Sequence, residues 1–124
     1  MSTLSKVDPS TLGWVKTEID ETLKQARLAL EAYAENTADD SRLRFCATYL
    51  HQVLGTLQMV ELDGAAMLAR ETEALASAIL NGQATSGPAA IETLIRGILT
   101  LPDYLARLQV WQPDSPLRVF SLLN

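Results

Sequence analysis

The sequence predicts an all-α protein, an antiparallel up-and-down four-helix bundle with a C-terminal extension, and three observations carry that expectation. Apolar residues recur at i, i+3, i+4 and i+7 along four separate stretches. Short polar or Gly/Pro-containing breaks divide the stretches, and no segment alternates with period two over a useful length. Amphipathic helices joined by short connections bury their stripes best against one another, which is the arrangement of a bundle.

The first helix begins at Ser10-Thr11, after Pro9, and its stripe runs through Leu12, Val15, Ile19, Leu23, Ala26, Leu30 and Tyr33. Acids come early and Lys24 and Arg27 later, the order that the helix dipole favours. Residues 35–41 form a polar break with several candidate N-caps, and the second helix is expected from Ser41 to Glu61. Around Asp63-Gly64 the apolar period is interrupted. Ala65, Leu68, Thr72, Leu75 and Ile79 then make a third stripe that stops at Asn81-Gly82, a pair suited to a left-handed C-cap. Pro88 suits the first turn of a fourth helix carrying Ile91, Leu94, Ile95, Ile98 and Leu101. Pro102 is expected to kink or split it before Tyr104, Leu105 and Leu108 resume the stripe. The bundle is thus expected over residues 10–110, with 111–124 a tail or a linker toward a following domain.

Composition narrows the function classes. The chain has 124 residues, of which 48% are hydrophobic and 20% charged, so one globular domain is expected. A net charge of −5 disfavours nucleic acid, which is bound through clustered Lys and Arg. No stretch approaches the roughly 18 uninterrupted apolar residues of a membrane span. The N-terminus lacks a basic-then-apolar leader and Cys46 is the sole cysteine, which together point to the cytoplasm.

The second helix is the informative one. At about 100° per residue, Leu43, Cys46, Ala47, Leu50, Leu54 and Leu57 gather on one side as the core face. Phe45, Tyr49 and Met59 fall nearly opposite and read as a second packing surface against a neighbouring helix. Between them runs a polar stripe of Arg44, Thr48, His51, Gly55 and Gln58, which holds the only histidine of the chain. An imidazole displayed partway along a helix is nucleophilic when neutral, and a residue without Cβ one turn later lets a partner come close. On these residues alone, a boundary histidine with no chemistry is the commoner arrangement.

Other chemistries have less support. One His and one Cys make a poor metal set, and no Glu-x-x-His pair occurs, so neither a metal nor a resident cofactor is expected. Cys46 and His51 lie five residues apart and point to different sides of the helix, which removes a simple Cys-His nucleophile pair. Glu18, Asp20, Glu21, Glu71 and Glu73 read as solvated helix faces.

A family resemblance rests on particular residues: Trp14-Val15-Lys16, Glu21 through Arg27, Arg44-Phe45-Cys46, His51-Gln52-Val53, Gly55 through Glu61, Gly64-Ala65-Ala66 and Leu101 through Leu105. In these the chain resembles the N-terminal region of ChpA/PilL-type, CheA-like hybrid sensor kinases, which control type IV pili and twitching motility. The resemblance implies a histidine phosphotransfer bundle. His51 would be the phosphoacceptor and Arg44, Thr48, Gly55 and Gln58 would lie in the docking surface. The partners implied are response-regulator receiver domains, which would bring their own Mg²⁺, and the kinase catalytic core of the same larger protein; a homodimer through the aromatic stripe is a further candidate. The usual motif reads His-x-x-Lys-Gly, whereas this chain has Leu54 at the lysine position, with Arg44 the candidate substitute cation. FimL-type adaptors resemble the same region and lack the histidine. The alternative expectation is therefore an inactive docking or dimerisation module.

Overall fold

The computed structural model describes residues 9–85 and 87–110, which form four helices and no strand: α1 (Pro9–Glu35), α2 (Ser41–Met59), α3 (Asp63–Leu80) and α4 (Pro88–Val110). Each helix packs chiefly on its neighbours in ring order, α1 on α2, α2 on α3, α3 on α4 and α4 back on α1. That order, with connections of only a few residues, is the expected up-and-down bundle. The tail expected over 111–124 lies outside the described residues.

The core follows the predicted stripes. Ile19, Leu23 and Leu30 of α1, Leu43, Leu50 and Leu57 of α2, and Leu94, Ile98, Leu101 and Leu105 of α4 are fully buried. Each such side chain contributes about 1.5–3 kcal/mol by leaving water. α3 differs in size rather than polarity, for it buries Ala65, Ala66, Ala69 and Ala76. Small side chains let it come close to its neighbours. A Cβ placed on Gly97 of α4 would stand 2.5 Å from Thr72 Oγ1 of α3. Thr72 is buried there, and its hydroxyl donates to the Leu68 carbonyl at 2.8 Å.

The helix ends show where local chemistry decides. α3 closes with Gly82 at φ 74°, Gln83 N–H donating to Ala78 O at 2.8 Å and Gly82 N–H to Ile79 O at 3.2 Å, so the Asn81-Gly82 cap forms as read. α2 ends two residues short of the expected Glu61. Its terminus has the same bond pattern, Leu62 N–H to Leu57 O at 3.0 Å and Glu61 N–H to Gln58 O at 3.1 Å. Here a non-glycine residue, Glu61, takes φ 61°, a conformation costing about 1 kcal/mol. Burial of Leu62 and Leu57 on either side of the turn offsets that cost.

Pro102 neither splits nor ends the last helix, and α4 runs from Pro88 through it to Val110. A proline inside a helix costs about 3 kcal/mol. Leu94, Ile98 and Leu101 before it and Leu105 after it share one buried face, and their burial exceeds that cost.

Candidate functional site

α2 carries the site because only part of its circumference is spent on the core. Leu43, Cys46, Leu50, Val53, Leu54 and Leu57 are buried, and Arg44, Thr48, His51, Gly55 and Gln58 are all exposed along the expected stripe. Cys46 lies on the core face of α2, where burial pushes its thiol up to about 12, so it is protonated and unreactive.

His51 stands out of the α2/α3 seam with 73% of its side chain exposed. Its Nδ1 lies 3.1 Å from Oε2 and 3.3 Å from Oε1 of Glu73 on α3, whose side chain is 22% exposed. An ionised carboxylate only accepts hydrogen bonds, so Nδ1 carries the proton and donates it to Glu73. In the neutral ring this leaves the lone pair on Nε2. A pair this exposed is worth about 0.2–1 kcal/mol, so it orients the ring more than it holds the fold.

Gly55, one turn on, is exposed, and a Cβ built there meets nothing within 4 Å. No packing inside the domain requires a glycine at this position, although glycine inside a helix costs about 1 kcal/mol relative to alanine. The consequence is open ground beside the imidazole.

Two sequence expectations are corrected. Phe45 and Met59 do not pack on a neighbouring helix, being 53% and 80% exposed; only Tyr49 of that stripe is half-buried against the core. Among the described residues α2 has neighbours on its two flanks alone, so these apolar side chains lie on its outer side and border the His51 strip. Met67 of α3 is also exposed. Arg44, the candidate substitute cation, is turned the other way, its guanidinium donating to Asp40 Oδ2 at 3.3 Å toward the start of α2. Thr48 donates its hydroxyl to the Arg44 carbonyl at 2.9 Å. Next to this helix start, Asp39 accepts the Ser41 N–H at 3.0 Å, which holds its carboxyl below the usual carboxylate range.

Glu73 is the residue that the sequence reading missed, having been placed on a solvated face. A signal for it exists: in an antiparallel helix pair, residues equidistant from the turn are level. His51 lies eleven residues before Leu62 and Glu73 eleven after it.

The comparisons with known proteins divide the functional expectations. The chain is 28% identical over 115 residues to the protein named Scaffold protein FimL of Pseudomonas aeruginosa, a match covering 93% of this chain and 20% of that relative. It therefore spans about a fifth of the relative's length. No solved structure matches the chain. The model of the FimL C-terminal domain matches residues 10–119, so the relationship found is to the adaptor side of the resemblance and not to the kinase side. On that match over nearly its whole length, the chain belongs to the FimL C-terminal domain family.

Proposed function

We propose that this domain is a docking module of a cytoplasmic scaffold in type IV pilus chemosensory signalling, and that the outward face of α2 is the surface it offers to a partner. Membership of a family named after a scaffold protein supports the docking role. The observation that carries the choice of surface is Gly55, whose missing side chain serves nothing inside the bundle. A position that costs helix stability without an internal return is explained by what approaches from outside. Phe45 and Met59 supply apolar contacts at the border of that surface, and Arg44, Thr48 and Gln58 supply polar ones. The partner class proposed is the receiver domain.

Substitution at Gly55 separates stability from binding. Gly55→Ala is expected to raise the unfolding free energy by about 0.5–1 kcal/mol. Gly55→Trp, at a site with open space around it, leaves the fold intact and reduces receiver binding at least about tenfold, about 1.4 kcal/mol. Calorimetric titration of the receiver domains of the same signalling system checks this. Wild-type affinity in Gly55→Trp for every receiver that binds would remove this face from consideration.

The His51–Glu73 geometry favours a second reading, in which the docked partner exchanges a phosphoryl group with His51. Nε2 would attack the phosphorus of an aspartyl phosphate. As the new P–N bond forms, the P–O bond breaks and the aspartate leaves with the electron pair. The resulting imidazolium keeps its Nδ1 proton against Glu73. Label is then expected on the wild-type chain after incubation with a phosphorylated receiver and is absent from His51→Gln. An unlabelled wild type, or a labelled His51→Gln, contradicts the reading.

A further inference from the structure

We infer that Arg70 of α3 is the cation that binds the phosphoryl group on His51 Nε2. It does from the neighbouring helix what a lysine three residues after the histidine would do from α2. This inference rests on the phosphoacceptor reading of His51. The need for such a group follows from charge: a phosphoryl group brings close to two negative charges, and Glu73 beside the ring adds another. α2 has no free cation to offset them, since Leu54 is 7% exposed in the core and Arg44 is paired with Asp40. Arg42, the other cation of α2, lies nine residues before His51, which places it about 180° around the helix.

The hairpin places Arg70 where that charge is missing. Arg70 is eight residues past Leu62 and Leu54 eight before it, so the two are level across the α2/α3 seam. Relative to Glu73, Arg70 stands about 4.5 Å nearer the turn and is rotated by about 60°. The direction of that rotation follows from the other flank of α3, where Leu68, Glu71, Thr72 and Leu75 line a groove with Thr93, Arg96 and Gly97 of α4. Arg70 is not in that groove, and like Glu73 it belongs to the α2 side, but farther out, being exposed where Glu73 is half-buried. Among the described residues it makes no ion pair or side-chain hydrogen bond, so its guanidinium is uncommitted. The α2 residue at its level, Leu54, is followed by Gly55, which has no side chain to fill the ground at that height. A guanidinium presents a planar fork of donors that suits two phosphoryl oxygens at once.

Phosphoramidate, used as a small phosphodonor, tests this without any partner. Nε2 forms a bond to phosphorus while the P–N bond of the donor breaks and ammonia departs with the electron pair. Arg70→Gln is expected to label about tenfold more slowly than wild type, and Arg70→Lys to recover part of the rate. Phosphorus NMR of the labelled chain gives a readout that a structural role would not move: the second ionisation of the phosphoryl group shifts up by about one unit in Arg70→Gln, because a nearby cation favours the dianion. Wild type labelled, with Arg70→Gln matching it in rate and titration, overturns the role of Arg70 and leaves His51 as phosphoacceptor. A wild type that takes no label overturns both.

Discussion

Leu50→Ala is expected to lower the unfolding free energy by about 3 kcal/mol. Leu50 is fully buried in the hydrophobic core, in the turn of α2 that ends at His51. The loss has two parts, the transfer energy of the deleted atoms and a cavity that rigid helices on both flanks do not collapse to fill. Against a total stability of about 5–15 kcal/mol for a small domain, this is a large share. Urea denaturation checks it: the midpoint falls while the slope stays the same. A loss below about 1 kcal/mol would mean that the core is looser around Leu50 than its burial implies.

Gly97→Val is expected to cost about 2–3 kcal/mol, although replacing a mid-helix glycine normally gains stability. The reason is the α3/α4 approach. A Cβ at position 97 would lie 2.5 Å from Thr72 Oγ1 and 3.0 Å from Thr72 Cγ2. Thr72 has a stiff, β-branched side chain whose hydroxyl is bonded to the Leu68 carbonyl, so it cannot swing aside without leaving a buried donor unpaired. The helices must separate instead. Denaturation of Gly97→Val beside Gly55→Ala makes the contrast direct, with one glycine needed by the fold and the other not. A Gly97→Val chain as stable as wild type would contradict the close packing.

What the sequence made legible was set by local periodicity and end signals. The four stripes, Pro88 at the start of α4 and the Asn81-Gly82 cap depend on residues near one another in the chain, and all were readable. The continuity of α4 through Pro102 was not, because it depends on burial against other helices rather than on the proline itself. The outer side of α2 was misread for a related reason. Periodicity shows that Phe45 and Met59 share a side, but whether a helix lies there depends on the ring order.

The candidate site divides along the same line. His51, Gly55 and the polar stripe belong to one helix and could be placed from spacing alone. Glu73 comes from the next helix, and its level beside His51 follows only once the turn is centred near Leu62. The same dependence explains Arg44. Its place on the stripe was right, but its partner, Asp40, was decided by an i−4 carboxylate closer than the imidazole two turns on.

On the proposed function, a partner docks on the outward face of α2, around His51 and Gly55. The decisive experiment titrates the ¹⁵N-labelled domain with the partner class proposed for it, a receiver domain, and follows the amide chemical shifts. Shifts are expected to concentrate at Arg44, Thr48, His51, Gly55 and Gln58, with the α1 and α4 surfaces unchanged. Binding that shifts α1 or α4 and leaves this strip of α2 unmoved would contradict it.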